Sequence, residues 1–256
     1  MHVAVTGASS GIGEAVVREY AGAGAAVTLV ARRRDKLKEI AKEAGGRTFV
    51  FPLDLSDVAR ATDWIQPAEK ELGPIDVLVN NAGVQIVEPA DATPWERIEE
   101  MIRIDLISSL KITRTVLPGM MARRSGTIVE VSSMAAIAPT PGMCYYNAAK
   151  AGQAAFSESL RGELRGTGVH VVTVYPGPVD TPMGRAGYAS YEPSWQQKVL
   201  PAGQPEELAR LIRRAVSRRT QRIIYPRSYA LSRHFPAITR WVMDRMTPQV
   251  KRPPAR

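Results

Sequence analysis

The chain has one cysteine and three histidines among 256 residues, and aromatic residues make up 6%. Each scarcity closes off a class of protein. A lone Cys144 cannot form an internal disulfide, so nothing requires an oxidising compartment. Beside the helix that carries the candidate chemistry, that cysteine reads as a small buried hydrophobe. His2, His170 and His234 lie far apart and show no ligand spacing, which leaves structural roles and no metal site. No apolar run reaches the roughly 18 residues of a spanning helix. Internal repeats are absent, and the one biased stretch is the Pro/Arg-rich end at 251–256, expected to fray. Residues 2–6 already read as a strand, leaving no stretch for a cleavable leader, so a cytoplasmic location is expected.

Acidic residues are scarce in one region. Net charge is +9, but residues 210–256 hold thirteen lysines and arginines against the single acid Asp244, which leaves the rest near −3. A basic end on a body that is not basic, without a recognition motif, predicts no nucleic-acid partner.

What is present is an alternation. Apolar, β-branched runs at 3–6, 26–30, 48–53, 75–79, 127–131, 169–175 and 222–225 have strand length, and helically spaced segments separate them. Strands separated by helices predict a parallel sheet covered on both faces, a doubly wound α/β domain. Residues 1–227 are expected to form it, with 228–256 as a basic extension of the same domain. Thr93, Pro94, Trp95 and Glu96 predict a capping box with proline at the first helical position. Gly45-Gly46 and Gly166-Thr167-Gly168 predict helix ends.

Gly7, Gly11 and Gly13, with Ser9, Ser10 and Ile12 between them, fall in the turn from the first strand to the first helix. Missing side chains there let backbone N–H groups and a helix dipole approach a pyrophosphate. The second strand ends in Ala31-Arg32-Arg33-Arg34 rather than in an acid for a ribose 2′-hydroxyl. Arg32 is expected to bind a 2′-phosphate, which favours NADP(H), while Arg33 and Arg34 read as a solvated helix start.

Tyr146 and Lys150 stand four apart and share a helix face. A nearby ammonium and an oxidised nicotinamide both favour phenolate, which makes Tyr146 a workable general acid/base. Ser133, at the end of the fifth strand, is placed to hydrogen-bond a substrate oxygen. Tyr145 lacks the lysine four residues on and reads as packing or pocket, and Ser132 should point away from the site.

Taken in order, these motifs resemble the short-chain dehydrogenase/reductase family of the TGxxxGIG type, from about residue 3 to 183. The resemblance extends to Asp54 and Leu55 after the third strand, to Asn80-Asn81-Ala82-Gly83 after the fourth, and to Pro176-Gly177 with Val179 and Thr181. It implies that Asp54 contacts the adenine, that Asn81, Ala82 and Gly83 flank the adenosine ribose, and that Val179 and Thr181 hold the nicotinamide carboxamide. Pro176, Gly177 and Leu55 belong to the same cofactor site, Lys150 binds the nicotinamide ribose, and Asn80 braces neighbouring strands. Where the family carries an asparagine that helps hold a water linked to the lysine, this chain has Asp105, which keeps an acceptor but loses a donor. A homodimer or homotetramer is the expected assembly.

Residues 183–200 fall where the family places a variable lid. Met143, Tyr188 and Trp195, with Tyr145 and Tyr191, either line an apolar substrate pocket or pack the lid, and no charged anchor for a carboxylate is evident. Hydrophobic ketones, aldehydes or secondary alcohols are the expected substrates. Beyond Tyr225, Leu231, Phe235, Ile238, Val242 and Met246 recur at helical spacing with Arg233, Arg240 and Arg245 interspersed and a break near Pro236. That stripe packs on the protein's own core or a subunit interface, or meets anionic lipid. The competing functional class is a dinucleotide-binding scaffold or membrane-associated regulator, motivated by Asp105 and the basic tail.

Overall fold

The computed structural model describes residues 1–193 and 202–252. Seven strands form one parallel sheet: β1 (His2–Thr6), β2 (Ala26–Ala31), β3 (Thr48–Pro52), β4 (Val77–Asn80), β5 (Gly126–Val131), β6 (Val169–Pro176) and β7 (Arg222–Tyr225). Their spatial order is β3-β2-β1-β4-β5-β6-β7. Between them run α1 (Gly11–Gly22), α2 (Arg34–Ala44), α3 (Ile65–Leu72), α4 (Trp95–Ile102), α5 (Ser109–Ala122), α6 (Cys144–Glu163), α7 (Pro182–Ala189) and α8 (Pro205–Arg218), followed by α9 (Leu231–His234) and α10 (Pro236–Met246). A π-helical turn, Arg103–Ser108, joins α4 to α5.

Strand alternation sorts the core into two layers. Val3, Val5, Val77 and Val79 face one side with Val16, Leu37 and Ile212 of α1, α2 and α8. Ala4, Leu78 and Ile128 face the other with Ala68, Ile112 and Leu160 of α3, α5 and α6. This is the doubly wound Rossmann-type architecture. The order reverses between β1 and β4, and the carboxyl ends of those strands flank the crevice where such sheets bind ligands.

Local expectations hold with exceptions. β4 begins at Val77, and Ile75 instead lies buried in the preceding turn with its N–H bonded to the Glu69 carboxylate. The capping box does not form: Pro94 is the cap residue of α4, and the Thr93 hydroxyl turns back to the Pro89 carbonyl at 3.0 Å. Gly45, at a φ of 66°, closes α2 as the sequence predicts. Cys144, expected to be buried, is exposed at the first position of α6. The His2 ring spans the Gly73 carbonyl at 2.7 Å and the Thr28 hydroxyl at 2.8 Å, a structural role.

The C-terminal segment is helical with the break at Phe235 and Pro236, yet its apolar stripe stands outside the main core layers. Leu231, Phe235, Ile238, Val242 and Met246 line the crevice beside the sheet. Arg233 anchors its start to Glu158 of α6 at 3.2 Å. At its end the chain pairs with the segment after α7, through Glu192 N–H to Gln249 O at 2.9 Å and Lys251 N–H to Ser190 O at 3.0 Å. Among the described residues no helix is long and apolar enough to cross a membrane.

Candidate active site

The glycine loop is shaped by close approach. Gly7 has a φ of 66°, and a Cβ there would stand 2.7 Å from Ala82 Cα. At Gly13 a Cβ would run into the Gly7 carbonyl oxygen, so the helix could not start where it does. Asn81 locks the loop to β4, donating from Nδ2 to the carbonyls of Thr6 at 3.1 Å and Gly7 at 3.3 Å. The Ser10 side chain accepts no hydrogen bond from the helix it caps, which leaves the first N–H groups of α1 for a ligand.

One cleft of about 1130 Å³ runs from this loop past β4, β5 and β6 to α7 and α10. Gly7, Ser9, Ser10, Gly11, Ile12, Arg32, Asp54, Leu55, Asn81, Ala82, Gly83, Pro176, Gly177, Val179 and Thr181 all line it. Gly13 does not, since it lies beneath the loop as a packing requirement.

The arginines after β2 differ in part from expectation. Arg33 is exposed at the cap of α2, as expected, but its guanidinium also lies on the loop, donating to Ser9 O at 3.0 Å, Ser9 Oγ at 3.0 Å and Ser10 Oγ at 2.9 Å. Arg32 also lines the cleft but is drawn sideways, 3.7 Å from Asp54 Oδ2 and 3.4 Å from Glu100 Oε1. Arg34 begins α2 and stays exposed outside the cleft.

Ser133, Tyr146 and Lys150 come together on the cleft wall. Ser133, in extended backbone, accepts from Ala135 N–H at 3.1 Å, and its hydroxyl pulls the Tyr146 phenol down. One turn along α6, the Lys150 ammonium lies 5.9 Å from the Tyr146 ring centroid. Ser132 turns away and donates to the Lys150 carbonyl at 2.8 Å, while the Tyr145 hydroxyl bonds the Ala90 carbonyl at 3.2 Å.

Asp105 changes the electrostatics of this group. It lies fully buried in the π-helical turn, accepts from Val84 N–H at 2.7 Å, and faces Lys150 Nζ with Oδ2 at 3.4 Å without an aligned hydrogen bond. Burial pushes its carboxyl up to about 6, against the pull of Lys150. Tyr146 is likewise held above the ordinary phenol value, chiefly by burial; Lys150 pulls it down and Asp105 pushes it up. Lys150 thus acts on the phenol in the expected direction, and burial acts against it more strongly.

Sequence reasoning missed two residues behind the lysine. Gln153 of α6 accepts from Lys150 Nζ at 3.0 Å and donates to Glu130 of β5 at 2.9 Å, both inaccessible to solvent. The one available signal was an acid inside the apolar strand Thr127-Ile128-Val129-Glu130-Val131. Asn80 joins the same cluster, donating to Glu130 at 2.7 Å and Thr113 at 2.7 Å, so it ties β4 to β5 and α5.

The end of the cleft away from the glycine loop is apolar. Met143, Tyr188 and Tyr191 line it together with residues of α10, and Thr181 caps α7 by accepting from Gly184 N–H at 3.0 Å. Trp195, expected here, lies outside the described residues.

A dinucleotide-shaped loop, a tyrosine–lysine pair and a serine at the end of a central strand define a Rossmann-type oxidoreductase. Residues 1–191 match the family described as short chain dehydrogenase, and the chain belongs to that family. It is 39% identical over 188 residues to a short chain dehydrogenase of Pseudocercospora fijiensis, 70% of this chain but only 60% of that relative. An NADP-dependent 3-hydroxy acid dehydrogenase of Escherichia coli, YdfG, is 37% identical over 180 residues, 70% of this chain and 73% of the relative. Among solved structures, serine dehydrogenase in a closed form complexed with NADP+ superposes with a TM-score of 0.78 at 30% identity, covering 88% of this chain and 94% of that one.

Proposed function

We propose that the chain is an NADP(H)-dependent oxidoreductase that moves hydride between nicotinamide and a hydrophobic ketone, aldehyde or secondary alcohol. The observation that carries this reading is the meeting of Ser133, Tyr146 and Lys150 on the wall of the cleft that begins at the glycine loop. The cradle fits a dinucleotide: no Cβ fits at Gly7 or Gly13, and β2 is followed by arginines where an acid would repel a 2′-phosphate. Relatives and solved neighbours that carry NADP in their names support the same cofactor.

When bound, the nicotinamide supplies or accepts the hydride. Tyr146 holds the proton at its phenol oxygen, donating it to the substrate oxygen in reduction and recovering it in oxidation. Ser133 donates a hydrogen bond to that same oxygen and polarises the bond. Lys150 keeps a positive charge beside Tyr146 and binds the ribose. Val179 and Thr181 hold the carboxamide, and Arg32 with Arg33 receives the 2′-phosphate. Met143, Tyr188 and the α10 stripe exclude water and favour an apolar substrate.

A cytoplasmic location and a homodimer or homotetramer belong to the same proposal and rest on the sequence reading. Peripheral lipid contact is the second part: Leu231, Phe235 and Ile238 are each more than half exposed at the cleft mouth, beside Arg233 and Arg240. The scaffold alternative is not favoured, because binding alone gives Tyr146 no reason to stand between Ser133 and Lys150. The deciding experiment screens hydrophobic aldehydes and ketones for oxidation of NADPH, with NADH in parallel. Turnover with NADPH is expected; firm NADPH binding without turnover on any carbonyl would return the scaffold.

A further inference from the structure

Behind Lys150 lies a buried polar chain for which the proposed chemistry has no use. Glu130, Gln153 and Thr113 are fully inaccessible, and Asn80 nearly so. Glu130 accepts at Oε1 from Asn80 Nδ2 at 2.7 Å and Thr113 Oγ1 at 2.9 Å, and at Oε2 from Gln153 Nε2 at 2.9 Å. A side-chain amide donates at one end and accepts at the other, and an ammonium only donates. With Glu130 taking Nε2, the Gln153 amide must turn Oε1 to Lys150 Nζ, as found at 3.0 Å.

An ammonium has three donors. Val131 O at 3.2 Å and Gln153 Oε1 take two of them. The third faces Asp105 Oδ2 at 3.4 Å, and Asp105 lines the cleft whereas Glu130 and Gln153 do not. The Gln153 anchor thus lies off the cleft, behind the lysine, and the loosest contact is to Asp105 on the cleft wall.

We propose that Glu130, acting through Gln153, is a positioning residue that fixes the Lys150 ammonium with one donor presented to the cleft, where Asp105 holds it until a ribose hydroxyl takes its place. The inference rests on the reading that Lys150 serves a nicotinamide dinucleotide. It explains why an acid occupies the centre of a buried strand, where an apolar residue would carry no desolvation cost. Removal of the acid frees the amide to flip and present its NH₂ to the ammonium, a repulsive arrangement that would turn Lys150 away.

The test uses the full chain, with NADPH affinity read from nicotinamide fluorescence and turnover read on 4-nitrobenzaldehyde as a carbonyl probe. Assays run at about pH 8.5, where Glu130 is a carboxylate that accepts at both oxygens. Gln153→Met keeps the length and removes both hydrogen bonds; Glu130→Gln keeps the shape and puts a donor where Gln153 Nε2 needs an acceptor. Each is expected to weaken NADPH binding about fivefold and lower kcat about tenfold, the scale of one charge-assisted hydrogen bond, with aldehyde KM within about twofold. The double variant should be no worse than the worse single, because both act on one route. Thr113→Val, which strips one donor and leaves the carboxyl, should give a same-direction loss of about twofold and decides the matter if the stronger variants do not fold. Wild-type NADPH affinity and kcat in folded Gln153→Met or Thr113→Val, or additive losses in the double variant, would overturn the inference. A wild-type chain that ignores NADPH would instead overturn the reading of the site.

Discussion

Arg33 reaches Ser9 with two nitrogens, Nε at 3.2 Å and Nη2 at 3.0 Å from the hydroxyl, so the residue after the expected phosphate reader is the one fixed on the glycine loop. Its fork bridges the loop to the start of α2, where a 2′-phosphate would arrive. Arg33→Ala should therefore cost NADPH about tenfold in Kd and leave NADH within about twofold, one charge-assisted contact being at stake. Arg32→Asp should turn preference toward NADH, since a carboxylate repels the 2′-phosphate. Competitive titrations with both nucleotides check this, and a wild-type preference for NADH would refute the cofactor assignment.

Tyr146→Phe keeps the ring in its buried place and deletes the transferable proton. Turnover on any carbonyl should vanish while NADPH affinity stays within about threefold, because the lost group is needed for chemistry and only marginally for binding. Residual kcat near wild type would mean that another group moves the proton.

Asp105 raises Tyr146 and Lys150 lowers it. Asp105→Asn removes the anion and keeps an acceptor for Val84 N–H, so the phenolate becomes easier to form. The rate of alcohol oxidation with NADP+, which needs phenolate, should reach its plateau at lower pH in the variant, with maximal activity maintained or raised. A profile unmoved along the pH axis would show that Asp105 exerts no field on Tyr146, and a large fall in rate would show dependence on the carboxylate itself.

The glycine loop and the tyrosine–lysine pair were legible because each is a local constraint: Gly7 and Gly13 answer to backbone clashes, and Tyr146 and Lys150 to helical spacing. The sheet was legible because Val3 and Val5 alternate with Ala4 to opposite layers. What stayed hidden depends on distant partners. Periodicity shows that Leu231, Phe235 and Ile238 share a face but not that the face looks into the cleft. Nothing along the chain reveals which of two adjacent arginines will fold over Ser9, because the turn into α2 decides it. Glu130 and Gln153 sit on different elements, and only the packing of α6 on β5 joins them.

Glu130 also leaves a signature in stability. Burial raises its carboxyl from 4.5 to about 7 in the folded chain. Between those values the unfolded state loses the proton and the folded state keeps it, so this group makes stability fall as pH rises, by at most about 1.4 kcal/mol per pH unit. Glu130→Gln does not titrate. The wild-type unfolding free energy minus that of the variant should therefore decline from pH 4.5 to 7, measured by urea titration at several pH values. A difference that stays level across this window would show that the carboxyl ionises normally in the fold.

The C-terminal helices yield the last prediction. Leu231, Phe235 and Ile238 are 67%, 53% and 60% exposed, around the mouth of an apolar cleft, and Trp241 stands 58% exposed beneath Arg245 at 5.2 Å. Exposed apolar residues beside arginines bind anionic interfaces by two additive terms, of which salt weakens only the electrostatic one. Full-length protein should sediment with phosphatidylglycerol vesicles at low salt, partly release at high salt, and bind phosphatidylcholine vesicles less. Replacing Leu231, Phe235 and Ile238 together by serine should abolish the salt-resistant fraction while the folded chain retains NADPH binding, since the glycine loop lies at the opposite end of the cleft. Truncation after Arg227 is a poorer probe, because it also removes the cleft wall and the pairing at Ser190 and Glu192. If the unmodified protein stays in the supernatant at low salt, the exposed stripe serves the cleft alone and the lipid reading fails.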